Sequence, residues 1–331
     1  MASAGGRPGD SSLGSGIASG SKPPRAVVFA YHDVGVRCLQ VLIDQGVEVV
    51  LVVTHRDDPD EQIWFSSVAE LAVRHGIETV FPESPAEPAL LEQVRRARPD
   101  FLFSFYYRRM LPAGLLEVPS RGAFNMHGSL LPRYRGRSPV NWAVLHGERE
   151  TGATLHEMVA KPDAGRIVDQ ESVPIGPDAT AAEVFGSVTG AAETVLRRAL
   201  PRLIAGTARL TPQDLSRGSY FGGRKPEDGR IDWRAKAADI HNLVRAVAPP
   251  FPGAFTDLGG ERLFVHRTRI LGASSLDPKQ AMLFVPQGAQ HVGVICADGA
   301  GLALLEIALS GRSLSVVEFA GRFGRGPVFL T

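Results

Sequence analysis

Short apolar runs alternating with helical patterns restrict this chain more than any other feature of its sequence. Ala26-Val27-Val28-Phe29-Ala30 is apolar throughout, as a strand buried on both faces of a parallel sheet must be. A helix pattern at Leu39, Leu42 and Ile43 follows, then a second strand at Val47 to Val53. The alternation continues with a helix around Ser67 to His75, a strand near Glu78 to Val80, a helix at Ala89 to Ala97 and a strand at Phe101 to Phe105. It predicts an α/β domain with a Rossmann-like, mostly parallel sheet and helices on both faces. The first turn, Tyr31-His32-Asp33-Val34-Gly35, lacks the G-x-G-x-x-G fingerprint, so no NAD or flavin dinucleotide is expected. His32 reads either as a ligand contact or as a turn cap.

With 331 residues the chain is long enough for a second domain. Lys and Arg total 36 against 35 for Asp and Glu, so no overall field favours nucleic acid or a membrane surface. The two cysteines, Cys38 and Cys296, are too few for a disulfide framework or a cysteine zinc site, and a reducing cytoplasm fits. No apolar run approaches the roughly 20 residues that span a bilayer, and no metal is expected. Residues 1–24, rich in Gly, Ser, Ala and Pro, predict a disordered tail.

The stretch Gly122 to Arg137 carries the most chemistry. In Phe124-Asn125-Met126-His127 the apolar and polar residues alternate, so on a strand Asn125 and His127 share one face. Gly128, Ser129, Pro132 and Gly136 then require a loop, which carries Arg133, Arg135 and Arg137. A polar strand end beside cations is a common ligand position in an α/β fold.

Further on, Val140 to Leu145 reads as helical and Thr154 to Val159 as a strand. Thr180 and Glu183 form a capping box that starts a helix running towards Leu203, which Gly206 ends. Residues 207–223 read as a linker between a domain at 25–206 and a second at 224–331. The latter holds a helix at Asp239 to Val247, a rigid turn at Pro249 to Gly253, and short strands at Ala254 to Asp257, Leu263 to Ile270, His291 to Cys296 and Leu302 to Ile307. Short strands with turn signals predict a small β-barrel.

Phe124-Asn125-Met126-His127-Gly128-Ser129-Leu130-Leu131-Pro132 with Tyr134-Arg135-Gly136, and the later block Glu150-Thr151-Gly152-Ala153-Thr154-Leu155-His156 through Asp163-Ala164-Gly165, resemble the folate-dependent formyltransferases. The resemblance implies transfer of a formyl group from 10-formyltetrahydrofolate to an amine, with an OB-like C-terminal domain. It assigns catalysis to Asn125, His127 and Asp163. A carboxamide suits the oxyanion, an imidazole suits proton transfer, and Asp163 is expected to raise the imidazole's pKa. The folate contacts it implies are Arg109, Met110 and Leu111, then Arg137, then Val159, Ala160, Lys161, Pro162 and Asp163. Met110 and Leu111 read equally as core, Arg137 as a salt-bridged loop residue, and Pro162 has no N–H to offer.

Ala30-Tyr31-His32-Asp33, Phe103 to Arg108, Gly136 to Trp142 and Phe221 to Pro226 resemble the sugar-modifying members more than the initiator methionyl-tRNA enzymes. The nearest pattern is the formyltransferase part of the bifunctional polymyxin-resistance enzymes, which implies UDP-4-amino-4-deoxy-L-arabinose as acceptor, lipid A modification as the purpose, and small-molecule partners alone. The decarboxylase part is absent from this sequence, so a separate decarboxylase is a possible partner. Arg133, Arg135, Arg224 and Lys225 are candidates for a diphosphate. The alternatives are a methionyl-tRNA formyltransferase and a non-catalytic folate or nucleotide binder on the same scaffold.

Overall fold

The computed structural model describes residues 22–59, 61–273 and 280–330. Most of the expected N-terminal tail, residues 1–21, lies outside the described residues. A seven-stranded sheet takes the order β3-β2-β1-β4-β5-β7-β8. Its strands are β1 (Arg25–Ala30), β2 (Glu48–Val53), β3 (Thr79–Val80), β4 (Phe101–Phe105), β5 (Ala123–His127), β7 (Glu150–Glu157) and β8 (Ile167–Pro174). The strands from β3 to β5 are parallel, whereas β7 pairs antiparallel with both β5 and β8, so that β7 is the reversed strand.

Alternate residues of β1 serve two cores, since both faces of a parallel strand are covered. Val27 and Phe29 pack with Leu90 and Val94 of α3 (Pro88–Ala97), and Ala26, Val28 and Ala30 pack with α1 (His32–Asp44). The other helices of this domain are α2 (Val68–Arg74), α4 (Ala113–Leu116), α5 (Pro139–Leu145) and α6 (Ala181–Ile204). The Thr180–Glu183 capping box closes at the start of α6, satisfying donors that would otherwise cost about 1 kcal/mol.

One strand differs from the sequence expectation. The strand expected at Thr154 to Val159 is β7, which starts at Glu150 and ends at Glu157 because it pairs along β8, a strand the apolar pattern did not show. Residues 207–223 are held by pairing and not only by their ends. Thr211 exchanges two backbone hydrogen bonds of 2.8 Å with Ile167, and β6 (Arg135–Gly136) pairs parallel with β9 (Tyr220–Phe221).

The C-terminal part is a curled antiparallel sheet in the order β10-β11-β14-β13-β12-β16, with β15 added to β14. These strands are β10 (Ala254–Leu258), β11 (Glu261–Ala273), β12 (Met282–Phe284), β13 (Val292–Ile295), β14 (Ala300–Leu309), β15 (Arg312–Ser313) and β16 (Val328–Phe329), with α7 (Ala237–Val247) and α8 (Val316–Phe323). It matches the smaller barrel-type domain that the sequence predicts. Helix α7 joins the two parts through polar contacts as well as apolar ones. His241 Nε2–H donates to Pro177 O at 3.0 Å, Arg245 donates to Ala179 O at 3.2 Å, and Asn141 Nδ2–H donates to Ala246 O at 2.9 Å. No helix among the described residues is long and apolar enough to cross a membrane.

Candidate active site

Strands β1 and β4 are neighbours whose onward connections leave in opposite directions, so the sheet's carboxyl edge has its crevice there. One strand further along that edge, β5 ends in Asn125 and His127. Asn125 lies opposite His156 of β7, and His127 opposite Thr154. The loop after β5 is tied down by Thr154, whose hydroxyl donates to Ser129 O at 2.6 Å and accepts from Leu131 N–H at 3.2 Å. Gln170 of β8 donates to both Thr154 Oγ1 and Leu131 O.

His127 is 6% exposed. Its Nε2 lies 2.8 Å from Tyr134 O, which only accepts, so Nε2 carries the proton. Nδ1 then holds a lone pair in the neutral ring and faces Asp163 Oδ1 at 3.6 Å. Asp163 Oδ1 is also 3.6 Å from His156 Nε2, and Oδ2 accepts from Gly136 N–H at 2.8 Å. The sequence trio Asn125, His127 and Asp163 therefore meets at one place, although 36 residues separate the last two in the chain.

The acid's position depends on unusual backbone. Asp163 has φ +51°, in the left-handed region. Gly136 has φ +99°, and a Cβ there would lie 2.1 Å from Phe221 O. Any side chain at Gly136 would push β6 off β9 and withdraw the N–H from Asp163.

Burial pushes the pKa of His127 below its ordinary value, and this outweighs the upward pull of Asp163 and of the Tyr134 bond. Asp163 thus acts upward as expected, while the net shift is downward. For Asp163, burial is the largest single influence and acts upward, but the charge on His127 and His156 when these rings are protonated, with the Gly136 N–H, holds it well below the carboxylate range. At neutral pH the arrangement is a neutral imidazole base beside an anionic carboxylate. A proton arriving on Nδ1 would find its counter-charge already in place.

Two contributors were not legible as site residues. His156, 2% exposed, bonds Glu157 O through Nδ1 at 2.9 Å, and its Nε2 accepts from Asn125 Nδ2–H at 3.1 Å. Gln213, from the segment between the domains, donates to Asp163 O at 3.0 Å and to Gly165 O at 2.6 Å. Gln213 has no sequence signal for this role, and His156, although it ends the block Glu150 to His156 that carries the resemblance, has none that ties it to Asn125.

The remaining candidates divide by exposure. Arg109 and Met110 leave the end of β4 exposed, the latter 63%, so Met110 is not core. Leu111 is buried in the core with Leu102 and Leu115 and offers little more than an edge. Val159, Ala160 and Lys161 are exposed in the loop before the half-buried Pro162. Arg137 is exposed and unpaired among the described residues, and a Cβ on Gly223 would meet its Cδ at 3.5 Å. Arg133 is committed to Glu148 and Glu150 at 3.6 and 3.7 Å. His32 is stacked on Phe65 at 4.0 Å, and its Nδ1 accepts from Asp33 N–H.

The family profile described as formyl transferase matches residues 28–200, and its C-terminal domain profile matches residues 224–324. The chain belongs to the formyl transferase family. Solved structures share the fold of this formyl transferase at low identity. One is the N-formyltransferase of Helicobacter canadensis in complex with folinic acid and dTDP-3-aminofucose, with TM-score 0.65 and 18% identity over 86% of this chain and 99% of that one. Another is the sugar 3N-formyl transferase WlaRD, in the presence of dTDP and 5-N-formyl-THF, with TM-score 0.66 and 17% identity over 89% and 99%. A third is a sugar N-formyltransferase from Shewanella sp. FDAARGOS_354, with TM-score 0.59 and 17% identity over 73% and 96%.

Proposed function

We propose that this formyl transferase moves the formyl group of 10-formyltetrahydrofolate to the amine of a nucleotide-linked amino sugar. UDP-4-amino-4-deoxy-L-arabinose is the acceptor that the sequence resemblance favours, as a soluble cytoplasmic precursor for lipid A modification. The observation that carries the reading is the His127 Nδ1 lone pair facing Asp163 at 3.6 Å, two residues along β5 from the Asn125 carboxamide. Sugar and folate ligands bound to proteins of the same fold support it.

In this reaction the neutral amine attacks the formyl carbon, and the carbonyl oxygen becomes an oxyanion. Asn125 has one Nδ2–H bonded to His156 and a second free to meet that oxygen. The proton lost by the attacking amine passes to His127 Nδ1, and Asp163 stabilises the resulting imidazolium. The carbon–N10 bond then breaks, and N10 takes that proton back. The folate lies against Arg109, Met110, the edge of Leu111, Arg137 and the loop Val159 to Pro162. The test offers 10-formyltetrahydrofolate with UDP-4-amino-4-deoxy-L-arabinose, dTDP-linked 3-amino sugars and methionyl-tRNA in parallel. Formylation of a nucleotide sugar is the expected result, and formylation of the tRNA alone would overturn the proposal.

A further inference from the structure

In the reading above the folate lies against Arg109, Met110 and the edge of Leu111, in the turn that leaves β4. Among the described residues no backbone–backbone hydrogen bond holds residues 106–111. Burial of Tyr107 and Leu111 pins the turn to the core at two points, and Arg108, Arg109 and Met110 stand exposed between them. An exposed backbone with few partners opens easily. The polar grip comes from another part of the chain. His55, two residues beyond β2, stacks on Tyr107 with ring centroids 4.1 Å apart, and its Nε2 accepts from Arg108 N–H at 3.1 Å. Glu61 accepts from both terminal nitrogens of the Arg108 guanidinium at 2.6 Å, and that guanidinium lies over the Tyr31 ring at 4.6 Å. Burial, then the charges of Arg109 and Arg108, hold the pKa of His55 down to about 4, so at neutral pH Nε2 keeps the lone pair with which it accepts.

We infer that His55 and Glu61 are positioning residues for the one-carbon carrier, holding the turn at Arg108 so that Arg109 to Leu111 meet the folate, which rests on the formyl-transfer reading above. The turn begins beside the reacting groups. Phe105, the last residue of β4, pairs in register with Met126, which sits between Asn125 and His127. Tyr106, the next residue, has φ +57°, and its hydroxyl would lie 1.8 Å from a Cβ on Gly128, so only glycine leaves room for it directly after His127. From Phe105 to Arg108 is three residues, at most about 11 Å. A displaced Arg108 therefore moves the wall on which the carrier lies, whereas Asn125 and His127 stay on a strand held by β4 on one side and β7 on the other. The consequence is a change in folate affinity and not in the chemical step.

Three variants test this. His55→Phe keeps an aromatic ring against Tyr107 and removes the acceptor, His55→Gln returns an acceptor oxygen, and Glu61→Gln removes the charge from an exposed ion pair that contributes little to folding. They are compared with the parent protein by calorimetry with 5-formyltetrahydrofolate and by steady-state kinetics. His55→Phe is expected to weaken folate binding about tenfold and Glu61→Gln about threefold, with matching rises in KM for 10-formyltetrahydrofolate, while kcat and the KM for the nucleotide sugar stay within about twofold. His55→Gln is expected to regain most of the loss. Folded variants that bind the folate as tightly as the parent would overturn the inference, as would a His55→Gln protein that binds it no better than His55→Phe. Should His55→Phe fail to fold, Glu61→Gln decides by itself. A parent protein that binds no folate would overturn the formyl-transfer reading and the inference with it, whereas equal binding by parent and variants overturns the inference alone.

Discussion

The carboxamide of Asn125 donates through Nδ2 to His156 Nε2 at 3.1 Å, across adjacent strands of one sheet. His156 Nδ1 is bonded to Glu157 O, so Nε2 is the ring's acceptor and the amide cannot turn its oxygen that way without opposing two lone pairs. The imidazole thereby sets the direction of the Asn125 donor.

If His156 acts through Asn125, His156→Leu lowers kcat about tenfold with little change in either KM, because loosening a donor costs less than the 10²–10³ seen when one is removed. Asn125→Ala lowers kcat more. The double variant should be no worse than Asn125→Ala alone; full additivity of the two losses would mean that His156 merely supports the fold.

Asp163→Asn keeps the shape of the side chain and its bond from Gly136 but removes the charge beside His127. Turnover is expected to fall on the order of 10²- to 10⁴-fold, the range for losing proton-transfer support. Asp163 acts upward on the pKa of His127, so its neutralisation moves the acid limb of the pH–rate profile to lower pH. A limb that shifts upward, or turnover that is undiminished, contradicts the assigned role.

Burial holds His32 and His55 down to about 4, against an ordinary value of 6.5. The unfolded chain therefore binds more protons between those values, and stability is unaffected above pH 6.5 but declines as pH falls towards 4. Urea unfolding midpoints should drop across that window. His32→Phe, which keeps the stack on Phe65, should flatten the drop, and an unchanged slope would place the proton uptake elsewhere.

Gln213 grips the loop of the proposed acid through two carbonyls, so Gln213→Ala frees the backbone of Asp163 without touching its carboxylate. A kcat about tenfold lower with a near-native melting temperature is the expected outcome, since small misplacements of a catalytic group cost that much or more. Gln213→Glu, which sets a carboxylate against two carbonyl oxygens, should be more damaging than alanine. Equal activity of all three proteins would reduce Gln213 to a surface tether.

What the sequence by itself determined is whatever depends on near neighbours. The apolar run Ala26 to Ala30 had to be a buried strand, Thr180 and Glu183 had to start a helix, and the alternation Phe124 to His127 had to put Asn125 and His127 on one face. Tertiary structure decided what depends on distance through space. The antiparallel β7–β8 edge, the pairing of β6 with β9, and the placing of His156 and Gln213 against Asn125 and Asp163 leave no periodic trace in the chain. The sign of the His127 shift belongs with them, because burial is set by everything packed around the ring, whereas the sequence offered only the carboxylate that pulls the other way.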